Sequence, residues 1–295
     1  MEKLKGALLV GALRLFALLP WRAVQIIGMM IGWIMWKTHN RSREIVRINL
    51  SKCFPGMNSD ARELLVGQSL MDAGKSMTES AYVWSWPAQR SINLIHEVEG
   101  LEVLHAALAS GKGVVGITSH LGNWEVLNYF YCSQCKPIIF YRQPKLKAVD
   151  KLLQKQRTQL GNRVVASTTK GILSVIKEVR KGGQVGITAD PEPAESAGIF
   201  VPFFATQALT SKFVPSMLAD YKAVGVFLHA LRLPNGSGYR IILEAAPEDM
   251  YSTDTATSCA AMSKVMERYI DAYPNQYMWS MKRFKKRPPG EERWY

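Results

Sequence analysis

A histidine with a carboxylate five residues after it stands in Ser119-His120-Leu121-Gly122-Asn123-Trp124-Glu125. A neutral imidazole has one nitrogen that donates and one that accepts. A carboxylate that holds the first leaves the second free to take a proton, and a base of that kind activates a hydroxyl nucleophile. The spacing allows this. His120 follows VVGIT (114–118), a short apolar run rich in β-branched residues that reads as a buried strand. Gly122 and Asn123 suit a tight turn into a helix, and Glu125, about a turn and a half into that helix, can curl back to the ring. A blander reading stands beside it: a glutamate in a first helical turn complements the helix dipole. Ser119 precedes His120 directly, but neighbours on a strand point to opposite faces, which argues against a Ser–His relay.

Other reactive side chains offer less. His39, His96, His105 and His229 show no metal-ligand spacing and read as structural or exposed. Cys132 and Cys135 form a CxxC without the Gly-Pro centre of a thioredoxin and without a second ligand pair at zinc-finger spacing. Two inert thiols are the simpler expectation, in a reducing compartment. No metal and no nucleotide cofactor is expected.

The elements around His120 recur. Residues 101–110 read as a helix, Gly111-Lys112-Gly113 stops it, and the strand 114–118 leads into Ser119-His120. Residues 172–181 read as a helix, Gly182-Gly183 stops it, and VGIT (185–188) leads into Ala189-Asp190. Two such units predict an α/β fold with a central mixed, largely parallel sheet flanked by helices. In such sheets ligands sit beyond the carboxyl ends of the strands, where both polar residues fall. A hairpin is expected with strands near 224–233 and 239–245, an amphipathic helix over 60–84 and a last helix over 257–273.

The chain starts with two apolar runs, residues 7–19 and 23–36, separated by Pro20-Trp21-Arg22. Neither reaches the roughly 20 residues of a spanning helix. A cleaved signal peptide, two core helices and a kinked or tilted membrane anchor compete. Lys37, Arg41, Arg43 and Arg47 follow at once and suit anionic head groups, which favours the anchor and places the rest on the cytoplasmic side. The expected organisation is an N-terminal hydrophobic anchor over 1–40 and a single α/β domain over 41–295. Lys and Arg outnumber Asp and Glu by 37 to 24. No nucleic-acid-binding signature accompanies the charge, so an acidic membrane, protein or substrate is the expected partner.

The His-x4-Glu segment resembles the His-x4-Asp/Glu motif of glycerolipid-type acyltransferases, and is most similar to the late acyltransferases of lipid A biosynthesis. Tyr141-Arg142, the block from Asp190 through GIFVPFFATQALT (198–210), and PNQYMWSMKRFKKRP (274–288) resemble further segments of that family, in order. Ala205 stands where the family often has Gly, and Pro191-Glu192-Pro193 follows Asp190 where Gln or Asp is frequent. The resemblance implies an inner-membrane enzyme, facing the cytoplasm, that moves a fatty acyl chain from acyl carrier protein to a hydroxyl of a 3-hydroxyacyl chain on a lipid A precursor. His120 is then the general base and Glu125 its orienter. Arg157 and then Arg142 are candidates to hold the oxyanion or a lipid phosphate, with Asp190 holding one of these arginines. Five of the six residues from Lys282 to Arg287 are basic and suit acyl carrier protein, lipid A phosphates or anionic lipid, or form a solvated tail. The alternatives are a glycerol-phosphate acyltransferase and a non-enzymatic, basic membrane-surface or nucleic-acid-binding protein.

Overall fold

The computed structural model describes residues 2–295 other than 142 and 145, without the side chains of residues 2–5 and 7. Seven strands form one sheet in the order β1 (Ile95–Glu99), β9 (Tyr239–Ala245), β8 (Val224–Arg232), β2 (Val114–Thr118), β5 (Gln184–Thr188), β3 (Ile138–Tyr141), β4 (Arg163–Ala166). Every neighbouring pair is parallel except β8 with β9, the expected hairpin. β6 (Gly198–Phe203) and β7 (Thr206–Ser211) form a separate antiparallel ribbon. The sheet is thus mixed and largely parallel, as the two repeated units predict. The edge strands β1 and β4, the short β3 beside β4 and the β6–β7 ribbon carry too little apolar alternation to be read from the sequence.

Helices cover both faces of the sheet. On one face, α6 (Leu101–Ala109) and α7 (Trp124–Gln134) pack Leu104, Leu127, Phe130 and Tyr131 against Val226, Leu228 and Ile241. On the other, α9 (Thr169–Arg180), α10 (Phe213–Tyr221) and α11 (Thr255–Ala272) bury Val175, Met217 and Met266 against Val115, Ile117 and Phe227. The same core takes in α3 (Arg41–Cys53) and the tail residues Trp279 and Phe284. Of two further helices, α5 (Ala88–Ile92) packs against α7, and α8 (Lys147–Arg157) against β4.

The apolar N-terminus forms α1 (Glu2–Phe16) and α2 (Trp21–Lys37), bent by 117° around Pro20. Among the described residues no single helix is long and apolar enough to cross a membrane. α2 lies along α4 (Ser59–Val83), and glycines let the two backbones touch: a Cβ on Gly32 would fall 2.2 Å from the Leu70 carbonyl oxygen, and one on Gly74 2.1 Å from that of Gly28. The outer face of α2 stays bare, with Ile26, Met30, Trp33 and Ile34 each about half exposed.

Candidate active site

The register of the two central strands brings the chemistry together. β2 and β5 pair residue for residue from Val114↔Gln184 to Thr118↔Thr188, and the ladder runs on through Ala189 N–H donating to the Thr118 carbonyl at 2.8 Å. His120 and Asp190 therefore leave the sheet at the same level. Asp190 Oδ1 lies 3.0 Å from His120 Nδ1, the His120 backbone N–H donates to both Asp190 oxygens at 3.1 and 3.2 Å, and the Tyr277 hydroxyl donates to Oδ2 at 3.1 Å. Asp190 is fully buried, whereas the His120 side chain keeps 22% of its surface. A proton on Nδ1, shared with Asp190, leaves Nε2 as the free acceptor. Burial works to lower the imidazole pKa, but the charge and hydrogen bond of Asp190, with the charge of Glu125 behind them, outweigh it and the net shift is upward. Burial likewise works to raise the Asp190 carboxyl, and His120 outweighs it, so that this carboxyl sits below its ordinary value.

Glu125 does not curl back to His120, which corrects the expectation from spacing. Its carboxylate is buried and takes Arg157 Nε at 3.1 Å on one oxygen and Arg157 Nη2 on the other. The reason is the cap on α7. Asn123 Oδ1 accepts the backbone N–H groups of Glu125 and Val126, both at 3.0 Å, which fixes the first turn so that Glu125 faces the last residue of α8. Burial works against the Arg157 charge, and Glu125 more than restores it. Asp190 was expected to hold an arginine and holds the histidine instead. Arg142, the other candidate, lies outside the described residues. Tyr277 was missed as a site residue, although the tail motif that contains it was not. The signal for the His120–Asp190 contact was the twice-repeated VGIT, whose two copies each stop two residues before them.

A family model described as bacterial lipid A biosynthesis acyltransferase matches residues 3–286. The chain belongs to that family. Relatives within it include the Escherichia coli (strain K12) lipid A biosynthesis palmitoleoyltransferase, 28% identical over 97% of this chain and 92% of the relative. The lauroyltransferase of the same organism is 29% identical over 95% and 91%, and its myristoyltransferase 25% identical over 96% and 87%. The protein is accordingly an acyltransferase of lipid A biosynthesis.

A largely apolar groove of about 420 Å³, lined among others by Met35, Met77, Trp84, Trp124 and Met278, lies between α2, α3, α4 and the tail. Two residues of its lining touch His120. The Trp124 ring meets the imidazole edge-on at 5.0 Å between centroids, and Met278 N–H donates to the His120 carbonyl at 2.9 Å. The basic tail divides in two. Arg283 is buried and donates to the Leu209 carbonyl and Thr210 Oγ1, and Arg287 to the Gln207 carbonyl and Thr206 Oγ1, so both clamp β7 rather than face a partner. Lys285 is exposed and Lys282 partly so. Cys132 and Cys135 are free, and burial pushes both thiols up to about 12, which keeps them protonated.

Proposed function

We propose that the protein transfers a fatty acyl group from acyl carrier protein to a hydroxyl of a 3-hydroxyacyl chain on a lipid A precursor, with His120 as general base and Asp190 as the group that orients it. The observation that carries this reading is the His120–Asp190 contact, with the ring partly open and packed against Trp124 and Met278 of the apolar groove's lining. The acceptor hydroxyl gives its proton to His120 Nε2 as its oxygen attacks the thioester carbonyl. The tetrahedral oxyanion collapses, the C–S bond breaks, and the imidazolium returns the proton to the leaving thiolate. Asp190 stabilises that imidazolium and holds the tautomer. A guanidinium carries five N–H donors and Glu125 takes two of those of Arg157, so Arg157 remains the candidate donor to the oxyanion, with Arg142 as the second. A thioester is already activated, and this chemistry needs no cofactor.

The proposed setting is the cytoplasmic face of the inner membrane, with the α1–α2 pair as the anchor. The bare face of α2 supports it: Ile26, Met30, Trp33 and Ile34 form an apolar stripe on a helix too short to span, with Lys37 beside it, as an interfacial helix requires. The test is transfer of a labelled acyl group from acyl carrier protein to a purified lipid A precursor in anionic vesicles. Wild-type protein should form the ester, and a Met30→Gln/Trp33→Gln/Ile34→Gln variant should lose vesicle binding. A donor other than acyl carrier protein being used far better, or unchanged vesicle binding in the triple variant, counts against the respective half of the proposal.

A further inference from the structure

One buried carboxylate outside the His120–Asp190 pair reaches the same turn from below. Glu79 of α4 is fully buried, and its two oxygens take four N–H donors. Gln25 Nε2 of α2 donates at 2.6 Å and Arg232 Nε of β8 at 2.7 Å to Oε1. Arg232 Nη2 donates at 2.6 Å and Asn123 Nδ2 at 2.9 Å to Oε2. Asn123 is the residue whose Oδ1 caps α7. Its Nδ2 also donates to the Tyr239 hydroxyl at 2.8 Å. The neighbouring Gly122 is held from the other side. Its N–H donates to the Gln276 carbonyl at 3.1 Å, and the Gln276 side chain brackets the Arg232 backbone, taking its N–H at 2.8 Å and giving to its carbonyl at 3.1 Å. Gly122 has a φ of +69°, and a Cβ there would stand 1.9 Å from the Ala230 carbonyl oxygen, so the turn has little room to sit elsewhere.

Stability alone is a poor explanation for this cluster. A buried ion pair repays little more than its desolvation, and apolar residues of similar volume often do as well. What the pair delivers, and apolar packing does not, is direction. Burial works to raise the Glu79 carboxyl, and Arg232 outweighs it, so the acceptor stays charged and oriented.

We propose that Glu79 is a positioning residue for acyl transfer: through Asn123 it sets the angle at which α7 leaves His120, and through Gln25 it ties that angle to the seating of α2. The proposal rests on the reading of His120 as the base. Asn123 and Gly122 are the turn between His120 and Glu125, so a shift of the Asn123 amide moves the Glu125–Arg157 pair relative to the imidazole.

The experiment compares four variants of the full-length protein in vesicles, reading kcat, KM for the acyl donor and Tm. Glu79→Gln keeps the volume but turns one acceptor oxygen into a donor. It should lower kcat by on the order of 10²-fold, as misplacement of reacting groups does, with KM changed by no more than about twofold. Glu79→Gln/Arg232→Met removes both charges and should recover Tm while kcat stays low. Tyr239→Phe keeps every charge and nearly all packing, removes the hydroxyl that bonds both Asn123 Nδ2 and Glu79, and should lower kcat several-fold with only a small loss of Tm. Where the charge variants do not fold, Tyr239→Phe decides. Wild-type kcat in Tyr239→Phe or in folded Glu79→Gln overturns the proposal, as does a double variant that recovers kcat together with Tm. His120→Ala, run alongside, separates the two readings: full activity there removes the base itself, whatever Glu79 does.

Discussion

Two charge pairs start from the same six residues and end differently. His120 pairs with Asp190 across the top of the sheet, and Glu125 pairs with Arg157 across two helices. Both acids are buried and both basic partners keep a little surface, 22% for His120 and 16% for Arg157. The difference lies in the cation. An imidazole gives up its proton near neutral pH and so cycles during a reaction, whereas a guanidinium stays charged throughout and offers only fixed donors. One pair is therefore fitted to move a proton and the other to hold a charge. A histidine and a glutamate at this spacing need not act on each other; here each is the near half of a separate device.

The largest expected effect falls on the proton-moving pair. His120→Ala should lower the transfer rate by about 10²–10⁴-fold, the usual cost of losing a general base. Asp190→Asn should come close to it. The double variant should be hardly worse than His120→Ala, because the two residues act as one unit. The measurement is single-turnover transfer from labelled acyl carrier protein. Strictly additive losses would break the pairing.

The pH profile sharpens the same contrast. The base works only when unprotonated, and its pKa is raised, so kcat/KM should climb with pH through a midpoint above 6.5, the ordinary value for the ring. Without the Asp190 charge the lowering by burial is left less opposed, so the midpoint in Asp190→Asn should move down. Glu125→Gln should move it less, since Glu125 acts on the ring only through its charge. Equal shifts in the two variants would mean that Glu125 is the true partner of His120.

Glu125 and Arg157 should couple to each other. Glu125→Gln and Arg157→Gln are each expected to lower Tm and the rate, by less than His120→Ala does, and the double variant should be milder than the product of the two, since each single change strands a buried charge. Independent losses would separate the helices' pair into two unrelated residues.

The smallest effect belongs to the tail. Lys282→Glu/Lys285→Glu should weaken binding to acyl carrier protein or to anionic vesicles at low salt, with the difference fading as salt rises, because exposed charges are screened. Arg283→Met should leave that salt dependence alone and lower Tm, since this guanidinium is spent on the Leu209 carbonyl and Thr210. The opposite assignment in a titration of vesicle binding would reverse the division of the tail.

Local sequence carried a good deal. The apolar β-branched runs 114–118 and 185–188 became β2 and β5 with nearly the expected limits, because buried strands announce themselves by composition within five residues. The long helices over 59–83 and 255–272 follow from amphipathic spacing in the same way. His120 itself, at a strand end ahead of a glycine turn, was legible as a candidate base. Its partner was not. Whether His120 meets Glu125, five residues away, or Asp190, seventy away, depends on β5 lying next to β2, and strand order is settled by how the whole sheet packs under its helices. Glu125 was drawn to Arg157 by the same kind of choice, once the Asn123 cap had set the direction of α7. Arg283 reads as a surface charge in the sequence and is buried because the tail folds back over β7. Secondary structure is a property of neighbours in the chain, whereas the partner of a charge is a property of neighbours in space, and only the packed tertiary structure assigns it.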